Sequence, residues 1–115
     1  MKNKGDFFMN NKSYNVVGVT FDHRQDILSN FFKNYKHGGY YNVSLLKEDN
    51  NIYDKNAVSV NLEVNGKIEC VGYISKNENV ELRSLMDKIK DAKVKSIGPN
   101  INGDLGLSIT VEFND

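Results

Sequence analysis

Apolar residues near the start of this chain recur with two different periods, which predict a strand followed by a helix. Residues 14–21 are mostly β-branched and aromatic, a composition typical of a strand. Asp22 predicts a helix N-cap, and Gln25 three residues later gives a close match to a capping box. The apolar residues within 27–35 then fall at helical spacing, and a Gly-Gly pair at 38–39 predicts the helix end.

Three further strands are predicted in the middle of the chain. Residues 40–47 alternate between apolar and polar side chains, and a polar loop rich in Asp and Asn follows them. Residues 57–64 and 67–74 flank Asn65-Gly66, a dipeptide that favours the positive backbone angles of a tight hairpin turn. The sequence therefore predicts a β-hairpin directly after the polar loop.

A second helix and two closing strands are predicted for the last part of the chain. Ser75 and Glu78 form a second capping box, which opens a helix with apolar positions at Leu82, Leu85, Met86 and Ile89. Residues 94–97 and 105–113 predict strands joined by turn signals of Gly, Pro and Asn. The order βαβββαββ predicts an α+β, mainly β fold, in which about six mostly antiparallel strands form a small barrel with two helices covering its ends.

The same patterns predict which side chains are buried. The expected core includes one or two apolar residues from most elements: Val17, Leu28, Phe31, Leu45, Ala57, Val60, Val71 and Leu85. Cys70 is the single cysteine, which excludes an internal disulfide, and its alternating apolar context favours a buried structural thiol over a nucleophile. Gly72 is expected at a close-packing or bulge position.

Composition fits one domain with no strong electrostatic field. The 115 residues are 39% hydrophobic and 26% charged, enough for one modest core. Residues 1–13 are mainly polar and are predicted as a loosely ordered tail, before a domain at 14–115. The 15 basic and 15 acidic residues cancel, so any binding to nucleic acid must depend on local charge.

One part of the chain is locally basic. Between Arg83 and Lys95, five basic residues outnumber the acidic Asp87 and Asp91. This excess predicts a basic face on the second helix and its exit. Such a face is suited to phosphate steering, but an ordinary solvated helix surface has the same composition.

The sequence offers no sign of membrane association and little for catalysis. It has no signal-peptide pattern and no long apolar run, so we expect a cytoplasmic protein. His23 and His37 have no spaced partner His or Cys for a metal site. Asp49 and Asn51 match the first ligands of an EF-hand loop, but Asp54 stands where such a loop requires Gly. We therefore expect no enzymatic activity, metal or cofactor.

Tyr53 and Asp54 set the polar loop apart from an ordinary connector. Asp and Asn side chains bond to nearby backbone and build turns, so a well-formed connector is the simpler interpretation. An aromatic ring beside a carboxylate, however, offers a stacking face and a hydrogen-bond acceptor together. The pair therefore points to a ligand site in this loop.

The polar loop and its neighbours resemble the HIRAN domain. The resemblance rests on the opening VVGV at 16–19, residues 50–60 (NNIYDKNAVSV), residues 71–74 (VGYI) and the helix around 82–87, in that order. It covers roughly residues 14–113. It implies an OB-like barrel, found alone in bacteria and phages or fused to helicase-like ATPases and nucleases. It also implies the activity of the eukaryotic fusions, which is capture of the 3′-hydroxyl end of single-stranded DNA.

The resemblance also implies a set of site residues. In a pocket for the DNA end, Phe21 and Tyr53 would be the stacking faces, and Asn51 and Asp54 would be the polar contacts. Tyr73 and Lys76 would lie at the rim, near the phosphates. The sequence departs from the family pattern at three positions. Ile52 replaces the usual Pro, Thr20 a basic residue and Asp22 an aromatic one.

The chemistry of these residues gives an independent reason for end recognition. Asp54 can accept a hydrogen bond from a terminal hydroxyl, whereas an internal nucleotide would bring its phosphate against the negative charge. Stacking on Tyr53 and Phe21 contributes about 1–3 kcal/mol per base and ignores base identity.

We therefore expect a non-enzymatic module that captures single-stranded DNA 3′ ends in DNA repair or replication, with a helicase or nuclease as the partner protein. The alternative is a protein-interaction module that keeps the barrel but has lost DNA binding, which the uncharged Thr20 and the neutral net charge favour. The sequence does not indicate an oligomeric state.

Overall fold

The strands and helices follow the predicted order βαβββαββ. A computed structural model describes residues 10–114 of the chain. The elements are β1 (Asn11–Val17), α1 (Arg24–Lys33), β2 (Val43–Lys47), β3 (Val58–Val64), β4 (Lys67–Ile74), α2 (Lys76–Leu85), a short 3-10 helix (Met86–Lys88), β5 (Ile89–Pro99) and β6 (Leu105–Phe113).

The six strands form one antiparallel sheet in the order β2-β3-β4-β1-β6-β5. Its two edges approach each other just before β2 begins. Asn42 forms an isolated bridge with Lys93, and the Val94 amide donates a 2.9 Å hydrogen bond to the Tyr41 carbonyl oxygen. The sheet is therefore a nearly closed barrel with two helices, as predicted.

The core fills the inside of this barrel and extends under α1 and α2. Five of the predicted core residues are buried, namely Leu28, Phe31, Ala57, Val60 and Val71, while Leu45 and Leu85 are partly buried. Val17 was predicted wrongly, since it is 43% exposed. Tyr14 and Val16 face inward, and the two-residue period of a strand therefore turns Val17 outward. Cys70 is partly exposed rather than buried.

β1 begins and ends earlier than predicted. Residues 11–13, which we assigned to the tail, pair with β6. The strand ends at Val17 because Gly18 has a φ of 72°, a left-handed conformation that breaks the pairing. Residues 1–9 of the predicted tail lie outside the described residues.

The start of α1 does not use the predicted capping box. His23, not Asp22, is the N-cap residue, and its side chain makes no capping hydrogen bond. Gln25 instead joins the helix to the barrel. Its side-chain nitrogen donates to the carbonyl oxygens of Val19 and Leu105, and its side-chain oxygen accepts from the Leu105 amide at 2.8 Å. At its other end α1 finishes at Lys33, before the Gly-Gly pair.

Ser75 caps α2 as predicted, but the helix is shorter than expected. Its side-chain oxygen accepts from the Asn77 amide, and the last helical residue is Leu85. Ile89 was predicted in the helix and instead begins β5. Two β-bulges in β5 place buried or partly buried side chains three residues apart at 89 and 92 and again at 94 and 97, a spacing that imitates a helix.

The hairpin and the tight packing at Gly72 are confirmed. Asn65 and Gly66 both have positive φ angles, 52° and 82°, which suits the predicted hairpin turn. A β-carbon at Gly72 would lie 2.5 Å from Val16 Cγ1 and 2.6 Å from the Val17 carbonyl oxygen. Only glycine therefore allows β4 to approach β1 this closely.

Candidate functional site

All six site residues implied by the resemblance line one open groove. The groove has a volume of about 650 Å³ and lies between the β1–α1 connection, the loop between β2 and β3, the end of β4 and the start of α2. Its walls include Phe21, Asn51, Tyr53, Asp54, Tyr73 and Lys76. Three separate stretches of the chain, at residue 21, residues 51–54 and residues 73–76, thus bring the six side chains to one place.

The loop between β2 and β3 is held by its own polar side chains. The Asn51 side-chain oxygen accepts from the amides of Tyr53 and Asp54 at 2.9 and 3.0 Å. Asp54 Oδ1 in turn accepts from the Asn56 amide at 2.9 Å. These Asx-type turns confirm that the loop is a well-formed connector. They also fix the backbone on which the Tyr53 ring stands.

Helix α2 holds the same loop from outside. Asn79 is almost fully buried and donates from its side chain to Asp54 Oδ2 at 2.8 Å. Arg83 donates to the Ala57 carbonyl oxygen at 3.1 Å and pairs with the carboxylate of Asp49. Arg83 therefore supports the loop, whereas we had predicted that it contributes to a basic face of this helix. Lys90, in β5, pairs with Glu112 of the adjacent strand β6.

The Asp54 carboxylate is stabilised in its charged form. The backbone hydrogen bond from Asn56 is the main cause that lowers the pKa of this group, and the bond from Asn79 and the nearby charges of Lys76 and Arg83 add to it. Partial burial opposes the shift but does not reverse it. The groove thus presents a fixed negative charge near the exposed Tyr53 ring.

A second polar network crosses from the loop to β4. The Tyr73 hydroxyl donates to Glu48 Oε1 at 2.8 Å, and the same oxygen accepts from the Asn51 side-chain nitrogen at 3.0 Å. Burial, reinforced by the bond to Glu48, raises the pKa of Tyr73 to about 12. Tyr73 therefore stays protonated at neutral pH and links the wall formed by β4 to the loop.

Two aromatic rings of the groove face solvent. Tyr53 is 85% exposed and Phe21 is 65% exposed, and the outward Val17 lies on the same wall as Phe21. Exposed apolar groups that share one groove are typical of a ligand-binding or interaction surface. In a groove, the two rings offer flat apolar faces suited to stacking.

Arg24 is a groove residue that the sequence interpretation missed. Its guanidinium lies 5.1 Å from the centre of the Tyr73 ring, and its side chain is 12% exposed. Nη1 donates a 2.7 Å hydrogen bond to the Gly18 carbonyl oxygen. Thr20, where the family resemblance predicts a positive charge, is exposed and uncharged. The sequence feature that could have identified Arg24 as a groove residue is its position three residues after Phe21, at the start of a predicted helix.

Between residues 10 and 114, no three His, Cys, Asp or Glu side chains come together in a way that could hold a metal ion. Within the same range, no helix is both long and apolar enough to cross a membrane.

The architecture is that of a small OB-like barrel with an open groove at one end. It resembles the crystal structure of the HIRAN domain of human HLTF, with a TM-score of 0.58 and 23% identity over 90% of this chain and 74% of that chain. A structural-genomics protein from Lactobacillus plantarum matches with a TM-score of 0.55 and 23% identity, over 89% of this chain and 92% of that one. No family model and no curated protein matches the sequence.

The chain therefore has the fold of a HIRAN domain. The resemblance noted in the sequence is confirmed at the level of the fold.

Proposed function

We propose that this protein is a non-enzymatic DNA-binding module that captures the 3′-hydroxyl end of single-stranded DNA in its groove. The observation that carries the proposal is the convergence of Phe21, Asn51, Tyr53, Asp54, Tyr73 and Lys76 on one open surface. They come from distant parts of the chain and combine exposed aromatic faces with a held carboxylate. The HIRAN fold of the chain favours the same function.

Asp54 is the residue that would read the end of the strand. Each of its carboxylate oxygens accepts one hydrogen bond from the protein, from the Asn56 amide and from the Asn79 side chain. A carboxylate oxygen has two acceptor positions, so each retains capacity for a terminal hydroxyl. A 3′-phosphate would instead bring negative charge to a carboxylate whose own charge is stabilised.

The aromatic rings would bind the last bases without reading their identity. Every base has a flat π-face, and Tyr53 and Phe21 are exposed enough to stack on one. Lys76, at the first position of α2, adds a positive charge at the rim, where the strand's phosphates would leave the groove. We therefore expect end recognition with weak sequence preference.

A module of this kind would serve DNA repair or replication by delivering a strand end to a helicase or nuclease. The protein itself would hold the end and leave the chemistry to its partner.

The test is a binding titration with three versions of one oligonucleotide. Each is single-stranded and fluorescent, and they differ in having a 3′-hydroxyl, a 3′-phosphate or, in a circular form, no end. Fluorescence anisotropy should show clearly tighter binding of the 3′-hydroxyl version than of the other two. Equal affinity for all three would contradict end capture. No binding to any of them would favour the protein-interaction module, which keeps the barrel without binding DNA.

A further inference from the structure

The charges that line the groove cancel. Among the described residues its walls contain two acids, Asp22 and Asp54, and two bases, Arg24 and Lys76. A DNA strand carries a negative charge at each phosphate, so a neutral groove gains little from electrostatics. The groove attracts a phosphate only where one of its bases is freed from its acidic neighbour.

Arg24 is held in position on three sides. One side of its guanidinium packs on the Tyr73 ring, and Nη1 donates to the Gly18 carbonyl oxygen at 2.7 Å. Its Nη2 contacts Asp22 Oδ2 at 3.4 Å. A guanidinium has five N–H donors, so these contacts leave donors for a further acceptor. Planar, fixed and always charged, it suits a phosphate.

The contact with Asp22 is weak and easily replaced. Its distance is longer than that of a good charge-assisted hydrogen bond, and the Asp22 side chain is 84% exposed. Its carboxylate therefore lies beside the guanidinium without being locked there.

We propose that Arg24 binds the strand's last phosphodiester and that Asp22 is a resident anion which this phosphodiester displaces. The proposal rests on the proposed function and adds where the backbone of the strand is held. Arg24 would grip the phosphate between the last two nucleotides while Asp54 receives the terminal hydroxyl. Asp22 would reduce affinity for any strand that cannot displace it.

The first test removes the charge of Arg24. Arg24→Gln should weaken binding of the 3′-hydroxyl oligonucleotide about tenfold. It should also make the slope of log affinity against log salt shallower by about 0.7, the value for one phosphate on a single strand. Loss of the bond to Gly18 would loosen the connection between β1 and α1 and lower affinity, but it would not change the salt slope. Arg24→Lys should keep the slope, because it keeps the charge.

The second test changes the DNA. An oligonucleotide whose last phosphodiester is a neutral methylphosphonate should bind the unmodified protein about tenfold more weakly. The methylphosphonate oligonucleotide and the ordinary oligonucleotide should bind Arg24→Gln with equal affinity. A matched control is Lys33→Gln, which removes an equal charge from the far end of α1 and should leave both the affinity and the response to the methylphosphonate unchanged.

The third test removes the resident anion. Asp22→Asn should strengthen binding about two- to threefold, since an exposed ion pair is weak. Asp26→Asn, which removes a similarly exposed charge in the first turn of α1, is its control and should have little effect.

The outcomes separate this inference from the proposed function. If the unmodified protein prefers the 3′-hydroxyl end but Arg24→Gln keeps the full salt slope and the full response to the methylphosphonate, only the inference is wrong. The same conclusion follows if Asp22→Asn weakens binding. If the unmodified protein binds none of the oligonucleotides, both proposals are wrong.

Discussion

The hydroxyl of Tyr73 donates a 2.8 Å hydrogen bond to Glu48 Oε1, which joins the end of β4 to the loop between β2 and β3. Because Glu48 also accepts from Asn51, one carboxylate links the groove wall formed by β4 to the loop that carries Tyr53. The loop is therefore held in three ways: by its own Asx turns, by side chains of α2 and, through Glu48, by the Tyr73 hydroxyl. A surface site that must keep a ring and a carboxylate in fixed relation needs such support.

This bond predicts how stability depends on pH. Burial first and the bond to Glu48 second raise the pKa of Tyr73 from 10.0 to about 12. The folded protein thus holds this proton more tightly than the unfolded chain. The contribution of Tyr73 to stability should be complete below pH 10 and lost as the pH rises from 10 to 12. NMR of ring-labelled tyrosine should show a late-titrating ring that is absent in Tyr73→Phe, whereas the raised pKa values of Tyr14 and Tyr40 should persist in that variant.

Glu48→Gln separates the two causes of that shift. The variant keeps an acceptor but removes the charge, so the pKa of Tyr73 should fall but stay above 10, because burial is the larger cause. An unchanged Tyr73 titration in Glu48→Gln would mean that the negative charge of Glu48 does not contribute to the raised pKa.

Ala57 tests the core beneath the loop. It is 4% exposed, and its carbonyl oxygen accepts from the Glu48 amide and from Arg83. Ala57→Asp would bury a charge and should reduce the free energy of unfolding by about 3 kcal/mol or more. Asn50→Asp places the same charge on an exposed residue of the same loop and should change stability little. Thermal unfolding that is the same for Ala57→Asp and the unmodified protein would refute this placement.

The elements that the sequence predicts well are those with a single undisturbed signal. Asn65-Gly66 forms its hairpin and Ser75 caps α2 because turn and cap preferences act over a few residues. β5 was misread because two bulges break the alternation of a strand, and a bulge depends on its partner strand. Val17 was misplaced because its alternation is set by Tyr14 and Val16, in a strand that begins before the predicted start.

The candidate site likewise contains residues that the sequence predicts and residues that it does not. The six residues of the resemblance lie in short motifs, and all of them reach the groove. Arg24, Glu48 and Asn79 were missed because their contributions depend on contacts between distant elements. Asn79 meets Asp54 across 25 positions of sequence, and nothing near Asn79 indicates this partner.

Binding should depend only shallowly on salt. A groove for a strand end contacts about two or three phosphates, so the slope of log affinity against log salt should be roughly −1.4 to −2.1, at about −0.7 per phosphate. Titrations from low to high salt measure it directly. A slope several times steeper would indicate a long electrostatic track along the barrel and would contradict end capture.

Stacking should be insensitive to the chemistry of the strand end. Tyr53→Ala should weaken binding of both the 3′-hydroxyl and the 3′-phosphate oligonucleotide by about 1–3 kcal/mol, and Phe21→Ala should behave similarly. Ile52→Ala is the matched control, because Ile52 is the exposed neighbour of Tyr53 but does not line the groove. If Ile52→Ala weakens binding as much as Tyr53→Ala, general loop apolarity rather than ring stacking holds the base.

Discrimination between the two ends should depend on the charge of Asp54. Asp54→Asn keeps an oxygen for the Asn56 amide, and a rotated Asn79 amide can still pair with the new side chain, so the loop should keep its shape. The variant should bind the 3′-phosphate version more tightly than the unmodified protein does. The difference in affinity between the 3′-hydroxyl and 3′-phosphate versions should therefore become smaller. Asp54→Ala should narrow it too, but with weaker binding of both versions, because the loop loses its support.

Asn79→Ala is the control that removes support without removing charge. It should lower the melting temperature and weaken binding of the 3′-hydroxyl and 3′-phosphate oligonucleotides equally. The ratio of the two affinities should stay unchanged, because the Asp54 carboxylate remains. Anisotropy titrations of the two oligonucleotides against the three variants give the ratios. If Asp54→Asn keeps the full preference, or Asn79→Ala abolishes it, the carboxylate is a loop anchor alone and another group must read the strand end.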